Sequence, residues 1–240
     1  MTRNIRWPLT IIVTLFALFG LWGFASLGIW QVHRLHWKLD LIQRVDERVH
    51  ADPVPAPGPG DWPDVTTESA EYLRVTLKGS FLNQDELQVY TPSDYGPSYW
   101  VMTPLKRDDG TLVWINRGLV PEKLRDPATR TPPEGEVTVT GLLRISQSKG
   151  WLFSQKDDPA AGKWYRRDIA AMSAAKGLDN AAPYFVDEDA VAGPEWPKGG
   201  QTVIAFRNSH LSYAITWFAM VGLVLICYGI FLFSELRRRD

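Results

Sequence analysis

The sequence predicts a membrane protein in which two transmembrane α-helices, one near each end, flank a β-rich soluble domain of α+β type, an antiparallel sheet or partly open barrel. Three observations predict it. An uncharged apolar run extends from Leu9 to Trp30, a second extends from Leu211 to Phe233, and between them the apolar pattern changes to a period of two.

At about 1.5 Å per helical residue each run reaches about 33 Å, enough to cross hydrocarbon and longer than a buried core helix needs. A cleaved signal peptide is the rival reading for the first run, because Arg3 and Arg6 precede it and Gly23-Phe24-Ala25 offers small residues for cleavage. Signal cores extend about 7 to 15 residues, so an unbroken run through Trp30 favours a retained span. The order of segments is then a short basic tail over 1–8, a span over 9–30, an amphipathic helix over 31–50 and a proline-rich linker over 51–64. A β-rich domain over 65–210, a span over 211–233 and a second basic tail over 234–240 follow. Arg3 and Arg6 flank one span and Arg237, Arg238 and Arg239 the other, so the positive-inside rule puts both tails on the cytoplasmic side and the central domain opposite. Arg34, Lys38, Arg44 and Arg48 oppose that orientation, but long translocated domains are less bound by the rule.

After the first span, Trp30, Arg34, Trp37, Leu41 and Val45 recur at helical spacing, which predicts that the span continues as an amphipathic helix. Five prolines between Pro53 and Pro63 forbid helix and favour extended chain. From Tyr72 to Lys78 apolar residues alternate, as in a half-buried strand. Trp100 to Leu105 and Thr111 to Asn116 read as a hairpin, because Asp109-Gly110 tolerates the positive φ of a tight turn. Further strands are expected at Leu87 to Tyr90, Val137 to Leu143, Tyr184 to Val186 and Thr202 to Phe206. Val75 to Gly79 and Val137 to Gly141 read as strands that each end at a glycine permitting a bend. Asp168 can cap a short helix over 169–176 that Gly177 ends.

The one cysteine, Cys227, lies in the second span, so neither an intramolecular disulfide nor a paired-thiol metal site can form. A net charge of −1 makes no electrostatic case for nucleic acid. Glycine-rich phosphate loops, zinc-protease helices and nucleophile elbows are absent from the sequence, and only four histidines are available as bases, so the chain does not read as an enzyme. His33 and His36 beside tryptophans suit a headgroup-level interface better than a ligand pair. Trp7, Trp30 and Trp217 sit at span ends as an aromatic belt, while Trp100 and Trp114 fall in strands.

His210 closes the polar stretch Arg207-Asn208-Ser209-His210 at the mouth of the second span. It is placed either to bond lipid headgroups or to ligate a flat amphipathic cofactor such as haem near Tyr213 and Trp217, with propionates toward Arg207 or Arg34. Asn116-Arg117-Gly118 at a strand end reads equally as a recognition loop or a structural turn.

Several segments, taken in order, resemble the surfeit locus protein 1 family, assembly factors for haem-copper cytochrome oxidases. They are Gly28-x-Trp30-Gln31-x-x-Arg34-x-x-Trp37-Lys38, then VWINRGLVP from Val113 to Pro121, then Gly135-Glu136-Val137 with Gly141-Leu142-Leu143-Arg144. Trp164-Tyr165-Arg166-Arg167-Asp168 and Gly199-Gly200-Gln201-Thr202 follow, leading to Arg207-Asn208-x-His210-Leu211-x-Tyr213-x-x-Thr216-Trp217. The resemblance implies a non-enzymatic role in maturing oxidase subunit I, with haem a bound transiently and His210 as its candidate axial ligand. It also implies a haem-facing or partner-facing surface containing Trp30, Gln31, Arg34, Trp37, Arg207, Tyr213 and Trp217, and partner contact at Asn116, Arg117 and Gly118. The partners it implies are subunit I, other oxidase assembly factors, haem a synthase and membrane lipid. Only eight residues precede Leu9, which leaves no room for a mitochondrial presequence, so the bacterial inner membrane is the expected location with the central domain in the periplasm.

Overall fold

The computed structural model describes residues 6–148, 155–190, 196–204, 206 and 208–237. The chain divides into two compact units, one formed by 1–44 with 205–240 and the other by 45–204.

The first unit is a helix pair. Helix α1 runs from Trp7 to His50 and α3 from His210 to Leu236, and both are long and apolar enough to cross a membrane. The protein is therefore a membrane protein. Their contacts fix an antiparallel arrangement. Arg6 near the start of α1 meets Glu235 near the end of α3, with its backbone N–H 3.0 Å and its guanidinium 3.4 Å from the carboxylate. Midway, Thr14 Oγ1 and Tyr228 OH lie 2.8 Å apart, and Phe24 stacks on Trp217 at 5.8 Å between ring centroids. Gly28 lies against the Phe218 ring so closely that a Cβ there would overlap it. A small residue at such a crossing lets the backbones approach, which supplies the van der Waals contact that lipid cannot replace.

The second unit is a β-barrel with additions. Its strands are β1 (Val54–Pro55), β2 (Arg74–Phe81), β3 (Leu87–Ser93), β4 (Gly96–Lys106), β5 (Leu112–Pro121), β6 (Glu136–Ile145) and β7 (Ala181–Glu188), with helix α2 (Ile169–Lys176) before the last. The sheet order is β1-β2-β6-β7-β5-β4-β3, and an added pairing of β2 with β4 closes five of the strands, β2, β6, β7, β5 and β4, on themselves. Closure removes sheet edges. Of the two expected forms, antiparallel sheet or partly open barrel, the barrel is the one that forms, fully closed and with one internal parallel pair, β5 with β7.

The alternation of side chains explains that parallel pair. On β5 and β7, Val113, Ile115, Tyr184 and Val186 fill the barrel interior with Val75, Leu105, Val139 and Leu143. The residues between them, Trp114 and Phe185, point outward into a second core with Met102, Trp164, Ile169 and Met172, under α2. Both faces are covered, so these strands are apolar at consecutive positions, as parallel neighbours in a sheet usually are. Trp114 is fully buried, and its indole N–H donates to Ser173 Oγ on α2 at 2.9 Å.

Closure also gives two glycines their role. Gly79 sits where β2 passes from β6 to β4, and a side chain there would strike the Lys106 carbonyl. Gly141 sits where β6 passes from β2 to β7, and a side chain there would strike the Asp187 carbonyl. The sequence marked Gly79 and Gly141 as strand ends, but β2 and β6 continue past them to Phe81 and Ile145, because the glycines admit the close approach of a second neighbouring strand rather than end the pairing.

The hairpin through Asp109-Gly110 forms with Gly110 at φ +79°, and Asp109 Oδ1 accepts from the Thr111 N–H at 2.9 Å. Asp168 caps α2 by accepting from Ala171 N–H, and Gly177 ends it in the left-handed region. The first part of the proline-rich linker is extended and pinned to the barrel: Val54 and Pro55 pair with Val75 and Thr76 as an edge strand, where proline is tolerated, and Tyr184 OH donates to the Pro57 carbonyl at 2.7 Å. Its end, expected to be extended, instead forms a 3-10 turn over Trp62–Asp64, since Pro63 sits in the first turn where no N–H is needed. The last turn of α1 belongs to this unit, with Arg48 donating to the carbonyls of Glu68 and Glu71. The strand expected over Thr202 to Phe206 does not form among the described residues; 201–204 make no ladder, and Thr202 instead serves a side-chain contact.

Candidate functional site

Within the helix unit the residue expected as a ligand is held by a residue of the same candidate surface. His210 is the first residue of α3, where its backbone N–H is accepted by Asn208 Oδ1 at 3.3 Å. Its Nδ1 lies 2.7 Å from Oε1 of Gln31 on α1. An amide oxygen only accepts, so this contact places the imidazole proton on Nδ1 and leaves the Nε2 lone pair free. Gln31 is buried at 8% exposure, and the imidazole satisfies its oxygen. Metal-bound histidines are oriented in this manner, with the second nitrogen bonded to an acceptor.

The other residues of that surface are distributed around the pair. Arg34 lays its guanidinium 3.8 Å over the Trp37 ring, one turn beyond Gln31. Trp217 stacks on Phe24, whereas Trp30 and Tyr213 are exposed, at 55% and 54%. Arg207 lies outside the described residues. His36 Nδ1 bonds the Val32 carbonyl of its own helix turn, and among the described residues no three metal-ligating side chains cluster.

In the barrel unit the three residues of the central segment have three different placements. Asn116 is buried and donates from Nδ2 to Asp187 Oδ1 at 2.7 Å, while its Oδ1 accepts the Gly118 N–H. Gly118 has φ +123° and lies against the backbone of Lys198 and Gly199, which runs alongside it through the Leu119–Lys198 pairing. Arg117, between them, faces the opposite way into a cleft of about 540 Å³.

Asp187 is the centre that the sequence did not reveal. Beyond Asn116, it accepts from Arg144 Nη1 at 2.9 Å, Arg167 Nη1 at 3.0 Å and Thr202 Oγ1 at 2.9 Å. Arg144 also donates to Glu71 at 2.8 Å. Burial pulls both guanidinia down. For Arg144 the Asp187 and Glu71 carboxylates outweigh it and leave the group above its ordinary value, whereas Arg167, sharing Asp187 with Arg144, stays below. Asn116, Arg144, Arg167 and Thr202 each came from a separate sequence segment, and their meeting point is one carboxylate that none of those segments contains.

Glu188, the next residue, lines the Arg117 cleft. Burial pushes its pKa up to about 7, with Arg117 pulling it back and Asp189 adding to the rise. An acid raised in the fold holds a proton that the unfolded chain has released, so its contribution to stability is largest below about pH 4.5 and is lost as pH rises toward 7. The loss is of order 2–3 kcal/mol. Glu188→Gln is therefore expected to match the wild type in thermal denaturation at pH 5 and to exceed it at pH 8. Equal melting temperatures at both pH values would refute this placement of the charge.

Comparison with known proteins agrees with these features. A family profile described as the SURF1 family matches residues 18–222. Surfeit locus protein 1 of Rattus norvegicus is 33% identical over 214 residues, covering 81% of this chain and 67% of the relative. Surfeit locus protein 1 of Homo sapiens is also 33% identical, over 81% of this chain and 69% of its own length. The SURF1-like protein of Caenorhabditis briggsae is 30% identical over 95% of this chain and 76% of its own. The match spans both apolar helices and the barrel between them, and the chain belongs to the SURF1 family.

Proposed function

We propose that this protein is a non-enzymatic assembly factor for a haem-copper cytochrome c oxidase, which offers haem a to subunit I from its helix pair. Family membership supports the oxidase role, and the bond between His210 and Gln31 supports the haem-binding part. The proposed setting is the bacterial inner membrane, with both termini cytoplasmic and the barrel in the periplasm, as the basic tails favour.

Haem here is cargo, and the residues fit it. His210 keeps its Nε2 lone pair available because Gln31 occupies Nδ1, which is the arrangement an axial ligand requires. The helix surface around it is aromatic, suited to an apolar macrocycle, and the exposed Arg34 can meet a propionate. A single neutral axial ligand gives a bond that can be released, as delivery demands. Gln31 holds and orients, His210 ligates, and the barrel docks on the nascent subunit.

The experiment is the absorption spectrum of protein purified from haem-a-producing membranes. Wild type is expected to carry a haem band, His210→Ala to lose it, and Gln31→Leu to bind about tenfold more weakly, the usual loss when an outer partner of a ligating histidine is removed. Colourless wild-type protein, or a full band in His210→Ala, would sink the haem role and leave a scaffold that stabilises unassembled subunits. Gene deletion followed by loss of the membrane haem a band tests the oxidase role separately.

A further inference from the structure

The cleft beside Arg117 lies in the barrel unit, and its chemistry is independent of the helix-pair reading. Its walls are largely apolar, formed by Phe81, Pro132, Pro133, Val137 and Pro197, and among the described residues its charged groups are Arg117 and Glu188. The volume, about 540 Å³, falls in the range of small-molecule sites.

Arg117 is the feature that calls for a ligand. Its side chain is 11% exposed, and among the described residues its guanidinium is an ion-pair partner only of Glu86, at 3.8 Å, beyond hydrogen-bonding reach. Glu86 is already engaged: Arg130 donates to it at 2.7 and 3.3 Å, and Gln88 Nε2 donates at 3.1 Å. Two guanidinia thus share one carboxylate. The Phe81 ring 5.2 Å from the Arg117 guanidinium supplies a face but no acceptor. Without a protein acceptor at hydrogen-bonding distance among the described residues, the guanidinium is open to the cleft, and an oxyanion entering it would replace water there in the bidentate manner arginine favours.

Charge count selects the anion. Arg117 and Arg130 against Glu86 leave one positive charge, and Glu188 balances it only when ionised. Asp189, beside Glu188, disfavours that ionisation, and Lys198 turns away to Tyr95 OH, to which its ammonium donates at 2.7 Å. A singly charged group on an apolar body matches one surplus charge within proline and phenylalanine walls, whereas a dianionic phosphate would be left half uncompensated.

We propose that this cleft binds an apolar carboxylate, with Arg117 pairing the carboxylate and Glu188 beside it as a hydrogen-bond partner. The proton that Glu188 holds is the one that lets two carboxyl groups share a guanidinium. Binding then weakens as pH rises through 7, because the ionised Glu188 takes the guanidinium for itself and repels the ligand.

The test is isothermal titration of the full-length protein in detergent micelles with 4-phenylbutyrate and, as the uncharged counterpart, 4-phenylbutyramide. The acid is expected to bind at least tenfold more tightly than the amide at pH 6, and about tenfold more weakly at pH 8 than at pH 6. Arg117→Met is expected to abolish the difference between acid and amide, and Glu188→Gln to keep at pH 8 the affinity seen at pH 6. Equal binding of acid and amide to the wild type, or unchanged discrimination in a folded Arg117→Met, overturns the proposal. Should Arg117→Met fail to fold by circular dichroism, the pH profile of Glu188→Gln decides in its place, since a slope that persists there is equally fatal. A second arm uses a peptide ending in Pro-Leu-Phe as free acid and as amide. Tighter binding of the peptide acid than of phenylbutyrate assigns the carboxylate to a polypeptide terminus, and the reverse order assigns it to a small molecule. None of these titrations involves His210 or haem, so failure of either reading leaves the other standing.

Discussion

Asp187→Ala is expected to lower the stability of the barrel by about 3–5 kcal/mol, the cost of removing one partner from a buried ion pair. The loss is large because one carboxylate serves four donors from four places in the chain. Without it, among the described residues, Arg167 has no carboxylate at hydrogen-bonding distance, Arg144 keeps Glu71 alone, and the Asn116 amide and Thr202 hydroxyl lose this acceptor. For a domain of this size about 3–5 kcal/mol corresponds to a fall of roughly 10 °C in thermal denaturation. Asp187→Asn, which keeps the shape and one acceptor, is expected to fall less. Adding Arg167→Met to Asp187→Ala should recover part of the loss, because a buried unpaired charge costs more than an apolar side chain in the same space. A melting temperature for Asp187→Ala within 2 °C of wild type would show that the network is solvated and carries no such weight.

Gly118→Ala is expected to cost roughly 3 kcal/mol or more, from two sources that act together. At φ +123° the backbone lies where L-residues are strained, a cost of about 1–3 kcal/mol. The new methyl would also overlap the Lys198 carbonyl, so 196–200 must move away from β5 and break the two backbone hydrogen bonds between Leu119 and Lys198. Gly110→Ala is the control, since φ is also positive there but the surrounding space is open, and its cost is expected near 1 kcal/mol. Thermal melts with hydrogen exchange at the Leu119 and Lys198 amides read both effects. If the two variants melt together and both amides stay protected in each, the close approach does not constrain the fold.

These two positions show why some of the molecule was legible in the sequence. The apolar runs from Leu9 and Leu211, the Asp109-Gly110 turn and the Asp168 to Gly177 caps depend on residues adjacent in the chain, and all appear as helix, hairpin and capped helix. The alternation in β2 is likewise local, because one of its faces is half exposed. On β5 and β7 both faces are buried, so alternation vanishes, and nothing local distinguishes a parallel pair from an antiparallel one. The apolar stretch at Val203-Ile204 has the composition of a strand, yet Thr202 is committed to Asp187 and 201–204 pair with no strand among the described residues.

The candidate site divides in the same manner. His210 was identifiable because it stands at the start of an apolar span, and Gln31 because it falls in a recognisable segment, but their bond required two helices to meet across most of the chain's length. Asp187 and Glu188 carried no signal, since an acidic pair at a strand end reads as solvent-facing until barrel closure buries it.

The sequence by itself determined that two helices are long and apolar enough to cross a membrane, which residues turn or cap its elements, and which histidine begins the second of those helices. Each of these follows from apolar length, backbone freedom or a neighbouring side chain. Only the tertiary structure decided that β2 and β4 close the barrel, that Asp187 gathers four distant donors, and that Arg117 and Glu188 line one cleft. Pairing partners and desolvation are properties of what the fold brings together, and no residue's neighbours along the chain specify them.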